Sequence, residues 1–477
     1  MSLAQKTIKG VVWSSIERFS GQGAQFVLGI ILARILSPSD YGLIGMLAIF
    51  LAVSDSFVQS GFAIALVQKK DRDDLDFSTT FYFNVFVSII FYLLLFISAP
   101  YIADFFNQPI LESLTRVIGL SIVINGFAVV QRAKFTINID FKTQTKASLS
   151  SIIISGLLGI YLAYHGFGVW SLVYQSLLRI AIEVAMLWYI SKWVPSGGFS
   201  FDRFKRLFGF GYKLLLSGLI NTIFGNIYTI IIGKFFSASS LGYYTRAGQL
   251  SDFPSTNISF ILGRVTFPAL SELQDDNEKL SSAYKKIILK TALLVFPLMV
   301  GLAALADPFV ITILSEKWRG SIIMLQLLCL YGMWTPIHAI NLNILNVKGR
   351  SDLFLKLEVI KKTFSITAIF ITVPLGINAM LIGFIVLTYI ALVINLYYSK
   401  RIINYGFWQQ IRDLLPILLL SFAMGALIYF TIPMFDSNII KLLAGFVEGL
   451  VFYLGIAWFF NIGGIREVQD YINFKRT

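Results

Sequence analysis

Long apolar stretches run from one end of the chain to the other, each near the length of a membrane-crossing helix and each closed by polar punctuation. A helix needs about 20 residues to cross about 30 Å of hydrocarbon. Stretches of that size fall near residues 11–34, 41–66, 78–102, 111–131, 147–166 and 168–191. A second set falls near 209–233, 241–265, 286–306, 320–346, 353–374, 376–399, 410–433 and 439–462. The separators are turn formers and charges: Ser37-Pro38-Ser39, the run Lys69–Asp76, Asn107-Gln108-Pro109, Pro195-Ser196-Gly197-Gly198 and Asp275-Asp276-Asn277. The pattern predicts an all-α integral membrane protein of about fourteen transmembrane helices.

The charges orient these spans. With the N-terminus in the cytoplasm, the alternate, cytoplasmic segments hold most of the 39 Lys and Arg. They include Lys69, Lys70 and Arg72, then Arg132, Lys134, Lys142 and Lys146, then Arg203, Lys205 and Arg206. Lys285 and Lys286, Lys348 and Arg350, Lys400 and Arg401, and Lys475 and Arg476 continue the series. The opposite segments hold few, among them Arg34, Lys234 and Lys441. Cationic loops stay on the cytoplasmic side, so the alternation predicts an even number of crossings with both termini cytoplasmic. The first apolar stretch, Val11 to Leu36, contains Glu17 and Arg18 and lacks a small-residue cleavage site, so it reads as a retained span and not a signal peptide.

Composition narrows the class. The chain is 56% hydrophobic and 14% charged, against about 45–50% and about 25% in soluble domains, so lipid must solvate much of it. The +13 net charge is then chiefly a topogenic signal and not a nucleic-acid footprint. Phe199–Phe210 (FSFDRFKRLFGF) reads as a basic amphipathic segment at the cytoplasmic interface. A single cysteine, Cys329, and two distant histidines, His165 and His338, argue against an internal disulfide and a histidine-clustered metal enzyme. Neither a cofactor nor a metal is expected.

An internal echo divides the chain. Arg34-Ile-Leu-Ser-Pro-Ser-Asp-Tyr-Gly42 matches Lys234-Phe-Phe-Ser-Ala-Ser-Ser-Leu-Gly242 at an offset of 200 residues, with a basic residue, two serines and the glycine in register. A looser echo pairs Ala99-Pro100 with Asp307-Pro308. Each copy of the stronger motif follows the first helix of a six-helix set. Six is even, so the copies enter the membrane in the same sense, which predicts two parallel-repeat six-helix bundles, 1–200 and 201–402. Residues 403–477 add two C-terminal helices and a tail. Paired bundles with a substrate path between them are a transporter architecture.

The segments ARILSPSDYGLIGM (33–46), GVWSLVYQ (168–175), IIIGKFFSASSLGYYTRAGQL (230–250) and GRVTFPALSELQDD (263–276) resemble the polysaccharide flippases. These belong to the multidrug/oligosaccharidyl-lipid/polysaccharide exporter superfamily, and the similarity is strongest to the O-antigen, colanic-acid and exopolysaccharide branch. The resemblance implies alternating access between two bundles and an undecaprenyl-pyrophosphate-linked oligosaccharide as cargo. It also implies the bacterial inner membrane as location, membrane lipid as a partner, and polysaccharide polymerase and assembly proteins as associates. Relatives often carry an acidic residue two positions after the asparagine of the seventh helix. Here Tyr228 stands two positions after Asn226, so ion coupling through that acid is not implied. A cation-coupled multidrug exporter and a lipid II flippase are the alternatives within the superfamily.

A charge at a helix centre costs about 2.5–3.5 kcal/mol on insertion scales, which makes intramembrane charges functional candidates. Arg18, Arg116, Arg179 and Arg246 are expected to face a cavity and hold the pyrophosphate, because a guanidinium fork binds phosphate oxygens bidentately and stays charged. Glu17, Asp55, Asp252 and Asn221 complete the expected substrate-binding set. Arg179 and Glu183, spaced i,i+4, can instead neutralise each other, and Glu358, Lys361 and Lys362 can form a solvated end of their helix. An enzyme reading finds little: Asp71-Arg72-Asp73 resembles a metal-binding acidic pair but lies in a charged turn with no Gly-rich phosphate loop nearby.

Overall fold

The computed structural model describes residues 3–59 and 61–466. The tail residues Lys475 and Arg476, the side chain of Glu17 and the cytoplasmic placement of the C-terminus lie outside what it describes. Every regular element among the described residues is helical, and they gather into two compact units that divide after Gly242. The first holds α1 (Leu3–Ile35), α2 (Pro38–Gln59), α3 (Phe62–Gln68), α4 (Asp74–Phe106), α5 (Ile110–Ile118) and α6 (Leu120–Gly126). It continues with α7 (Val129–Ile137), α8 (Phe141–Tyr164), α9 (Val169–Ser191), α10 (Phe201–Phe235) and the first residues of α11 (Ala238–Ser271). The second holds the rest of α11, then α12 (Asn277–Ala304), α13 (Ala306–Ile313), α14 (Ile322–Gly332), α15 (Thr335–Val347), α16 (Ser351–Thr372), α17 (Ile377–Ile403), α18 (Phe407–Thr431) and α19 (Asn438–Phe459).

Eleven helices among the described residues are long and apolar enough to cross a membrane. The three remaining predicted spans coincide with α1, α11 and α16, which have 33, 34 and 22 residues and carry more polar groups. Large apolar side chains stay exposed on helix faces, such as Phe86 and Ile97 on α4 and Leu443 and Val451 on α19. Apolar exposure on that scale marks a surface that meets something other than water. The chain is a multi-pass membrane protein.

Helix ends follow the sequence punctuation. Asp73 caps α4: its carboxylate accepts the Asp76 amide at 3.0 Å, and the Asp76 side chain accepts the Asp73 amide in return. The same carboxylate takes Arg203 Nη2 at 2.9 Å, and Asp76 takes Lys69 Nζ at 2.6 Å. Asp73, one member of the Asp71-Arg72-Asp73 motif, is thus occupied as a cap, and Asp76 as a latch. Asn107 ends α4 in the left-handed conformation, with φ 53°. The segment Phe199–Phe210, expected to lie at the interface, mostly forms the first turns of α10. With 35 residues at about 1.5 Å each, that helix outruns the hydrocarbon, so its basic, aromatic start projects beyond it. There Phe204 packs on Phe62 and Phe83, with ring centroids 5.8 and 4.9 Å apart.

The repeated motif is a repeated joint. Helices α1 and α10 end at Ile35 and Phe235, and α2 and α11 begin at Pro38 and Ala238, each pair offset by the 200 residues of the sequence echo. In the first copy Ser37 Oγ donates to Asp40 Oδ2 (2.6 Å); in the second Ser237 Oγ accepts the Ser240 amide (3.1 Å). Within the first unit the two joints touch reciprocally. A Cβ on Gly42 would fall 1.8 Å from the Ala238 carbonyl oxygen, and one on Gly242 would fall 1.8 Å from that of Pro38. Nothing but hydrogen fits there. Helices α2 and α10 then run against each other, with Ser56 Oγ 3.2 Å from Thr222 Oγ1. The looser echo is less regular: α4 continues through Pro100, whereas the second copy breaks at Leu305, just before Asp307-Pro308.

Replacing Gly42 or Gly242 by Ala is expected to destabilise the purified protein by about 3 kcal/mol, an overpacking cost with backbone on the other side. Gly225→Ala, with nothing within 4 Å of its new methyl, should be neutral or stabilising. Melting in detergent reports both, and equal midpoints for the three variants would refute the close crossing. The cap makes a pH prediction. The Asp76 amide, then Arg203 and Lys69, hold the Asp73 carboxyl below its ordinary value. Its stabilising effect is therefore complete above the ordinary carboxylate range and lost as pH falls below it. Hydrogen exchange, corrected for intrinsic rates, should show the amides of Asp76 and Phe77 losing protection only as pH falls below the ordinary carboxylate range. Asp73→Asn, which still caps, should flatten that dependence.

Candidate functional site

A chain of half-buried polar groups joins four helices of the first unit. It starts on α2, where Asp55 Oδ1 lies 3.4 Å from Asn125 Nδ2 of α6. Asn125 Oδ1 accepts Arg132 Nη2 of α7 at 3.4 Å, and the same nitrogen donates to Glu183 Oε1 of α9 at 2.8 Å. Arg179 Nη1, one turn earlier on α9, stands 4.0 Å from Glu183 Oε2. Two arginines therefore share one glutamate, and they share it unequally.

The fourth predicted span makes this possible by breaking. It is built as α5, α6 and α7, with a kink after Gly126. Gly126 lies hard against α4, where a Cβ would meet Ser88 Oγ at 2.5 Å. The Phe127 carbonyl freed by the kink accepts the Trp188 indole N–H at 2.9 Å. An inserted side-chain donor of this kind is an ordinary cause of a helix kink. The helix then continues to Ile137, which places Arg132 on a helix instead of in the expected cytoplasmic loop.

Arg132 and Arg179 keep 36% and 31% of their side-chain surface exposed, and Glu183 keeps 17%. Charged groups half open on apolar helices cannot face hydrocarbon cheaply, so they require a polar, water-accessible space. The arrangement offers a guanidinium, Arg179, whose nearest carboxylate is already engaged at shorter range. An incoming anion would meet a cation only weakly neutralised.

The structure joins only part of the expected site. Asp55 and Arg179 belong to one network. Arg116 sits on α5, paired with Glu112 at 2.8 Å and stacked on the Phe96 ring at 4.7 Å. Arg18 is half-buried on α1, which packs on α8, and the side chain of Glu17 is not described. Asn221 is exposed on α10. In the second unit Arg246 is buried and donates to Gln249 Oε1 at 2.7 Å, while Asp252 is exposed. Trp334 is buried among Phe296 and Tyr389.

Sequence reasoning missed Asn125 and Arg132 as partners. One signal was present: they stand seven residues apart, two helical turns, and so share a helix face. The placement of Glu183 opposite them, 51 residues away, has no local signature.

The family described as "Polysaccharide biosynthesis protein" matches residues 31–323. Lipopolysaccharide biosynthesis protein WzxC of Escherichia coli is 26% identical, covering 89% of this chain and 89% of its own. Teichuronic acid biosynthesis protein TuaB of Bacillus subtilis is 27% identical over 74% of this chain and 73% of its own. Succinoglycan biosynthesis transport protein ExoT of Rhizobium meliloti is 26% identical over 70% and 68%. Among solved structures, a lipid II flippase in an inward closed conformation superposes with a TM-score of 0.76 at 16% identity, covering 94% of this chain and 98% of its own. An inward-facing multidrug transporter of the MOP superfamily gives 0.64 at 18% identity over 83% and 98%. At such identities these two establish a shared fold.

The network predicts non-additive mutations. Glu183→Ala strands two arginines and should destabilise the protein more than Arg132→Ala/Glu183→Ala does. The expected coupling is about 1–2 kcal/mol, discounted for partial exposure. A double-mutant thermal cycle giving additive effects would refute the shared-glutamate arrangement.

Proposed function

Because the chain belongs to the polysaccharide biosynthesis protein family, we propose that it is a flippase for lipid-linked sugar. It moves an undecaprenyl-pyrophosphate-linked oligosaccharide from the cytoplasmic to the periplasmic leaflet of the bacterial inner membrane by alternating access. It is a transporter and not an enzyme. Relatives named for lipopolysaccharide and teichuronic acid biosynthesis, and one named as a succinoglycan transport protein, support this reading.

The observation that carries it is the shared Glu183. A cargo diphosphate displaces Arg179 from its 4.0 Å contact at little cost and gains charge-assisted hydrogen bonds, while Arg132 keeps Glu183 from closing the site. Within the first unit Arg18 serves as a further cation for this cargo, with Glu17, Asp55 and Asn221 as polar contacts; within the second unit Arg246 and Asp252 are the proposed contacts. Arg116, held by Glu112, contributes at the outer end. The lipid tail need not enter the polar path. An apolar groove of about 580 Å³ within the second unit, lined by Leu294 and Leu298 of α12, Phe309 of α13 and Phe446 and Leu450 of α19, suits part of a polyprenyl chain.

The topology proposed with this function has fourteen crossings, counting α1, α11 and α16, and both termini in the cytoplasm. Residues 1–200 and 201–402 form the two six-helix repeats, and 403–477 the added pair. The product on the outer leaflet is available to a polysaccharide polymerase and assembly proteins.

Cells lacking the gene should accumulate undecaprenyl-pyrophosphate-linked oligosaccharide on the cytoplasmic side of the membrane, and mass spectrometry would identify the sugar. Restoring the gene with Arg179→Ala should lower export at least tenfold, about the loss of one charge-assisted contact. No accumulation, with new sensitivity to cationic drugs, would replace this reading with a cation exporter.

A further inference from the structure

The turn joining α17 to α18 carries a pocket of about 370 Å³ that belongs wholly to the second unit. Asn404, left-handed with φ 55°, ends α17, and Gly406 stands at the N-cap of α18. One wall is the end of α17, with Val393, Tyr397 and Lys400; the other is the first turn of α18, with Phe407 and Trp408. The stem of Lys400 lies on Gly406, where a Cβ would come within 3.0 Å of Lys400 Cδ. A larger residue at 406 would push the lysine off the turn.

The positive charge here has no carboxylate of its own. Lys400 forms no ion pair and no side-chain hydrogen bond among the described residues, and neither does Arg412, one turn beyond Trp408. Arg401 engages a neutral group: its Nη2 donates to the Tyr397 hydroxyl at 2.5 Å, with its guanidinium carbon 4.6 Å from the ring centre. No Asp or Glu stands between Ile377 and Arg412. Asp413, the next residue, takes Lys285 Nζ at 2.9 Å and the Tyr405 hydroxyl at 2.8 Å. On the neighbouring α16, Asp352 takes Arg350 through both oxygens and Glu358 holds Lys361.

Apolar surface leads up to this charge. Val386, Ile390, Val393 and Tyr397 follow at steps of four, three and four residues, so they share one face of α17, and all four are exposed. Lys400 continues that face. It lies fourteen residues beyond Val386, about 21 Å along the axis, whereas one leaflet of hydrocarbon is about 15 Å thick. An acyl chain on this stripe would therefore end beside an ammonium. Tyr397 and Trp408, the latter 80% exposed, suit a membrane–water boundary, where phenol and indole collect. The proposed topology assigns this end of α17 to the cytoplasm, and basic pockets between helices on that side receive anionic headgroups.

We infer that this pocket is a site for an anionic phospholipid of the cytoplasmic leaflet. Its phosphate lies beside Lys400 and Arg401, and one acyl chain follows the exposed face of α17. The start of α18 adds the favourable end of a helix dipole. A zwitterionic phospholipid fits the same stripe but brings its own cation, which offsets its attraction to these charges. The inference goes beyond the flippase reading, because this lipid is a resident partner and not the cargo.

The test uses the full-length purified protein and native mass spectrometry of lipid binding. Dioleoyl phosphatidylglycerol is the probe, and dioleoyl phosphatidylcholine, with identical chains, is its zwitterionic counterpart. The glycerol lipid should bind about fivefold or more tightly, the worth of one basic residue near an anionic headgroup. Glycerol 3-phosphate in large excess should not displace it. The double variant Lys400→Gln/Arg401→Gln should remove the preference, whereas Lys205→Gln/Arg206→Gln, at exposed cations of α10, should keep it. Equal binding of the two lipids to the wild type would overturn the inference, and that comparison needs no variant to fold. Displacement by glycerol 3-phosphate would do so as well, by marking a free-phosphate site, and displacement by undecaprenyl pyrophosphate would return the pocket to the cargo path. A preference that survives the α17 variant, or falls equally in the α10 variant, would show general surface attraction instead. None of these measurements involves translocation, so failure here leaves the flippase reading to the leaflet-accumulation experiment.

Discussion

Two backbone carbonyls, those of Ala238 and Pro38, lie where the side chains of Gly42 and Gly242 would otherwise be. Without a hydrophobic drive between helices in lipid, close backbone approach is a main source of packing energy, and small residues permit it. The reciprocal crossing explains why the motif is repeated at all. A serine cap starts each helix, and a glycine five residues after that serine lets it meet its counterpart. Each copy needs the other's carbonyl, so neither can lose its glycine alone. The register of α2 against α10 then extends from this joint, through the Ser56–Thr222 contact, to the aromatic cluster around Phe62 and Phe204.

A second constraint acts on charge. Removing ions from water is expensive, and mutual attraction offsets this only where geometry is good. The first unit meets it by sharing. Glu183 satisfies Arg132 closely and Arg179 loosely, and Asn125 passes the chain of contacts on to Asp55. A tighter Arg179–Glu183 pair would leave no guanidinium half engaged. The kink after Gly126 is what prevents it, since only the redirected α7 brings Arg132 to the glutamate first. Packing at a glycine and chemistry at an arginine are therefore two consequences of one break in a helix.

Much of the fold was legible because the bilayer imposes a length and a polarity on each span. The separators at Ser37, Lys69–Asp76, Asn107, Pro195 and Asp275 all fall between helices or at their ends, since turn formers and charges are excluded from hydrocarbon. The 200-residue echo located the joint for a similar reason: a backbone contact tolerates few residue types, so its sequence stays recognisable. The site was less legible. An apolar window ends where polarity begins, which removed Arg132 from its helix, and long-range pairing such as Arg132 with Glu183 leaves no periodic trace.

Composition alone conceals what sets the Glu183 network apart. Its named ionisable groups, Arg132, Arg179, Glu183 and Asp55, sum to zero, yet one guanidinium is held at only 4.0 Å. A network can therefore be neutral in total and still leave one donor half engaged. The distance decides this, because attraction offsets the cost of desolvation only where the geometry is good. Which arginine reaches the glutamate first, and not how many charges the span carries, determines which guanidinium can change partners.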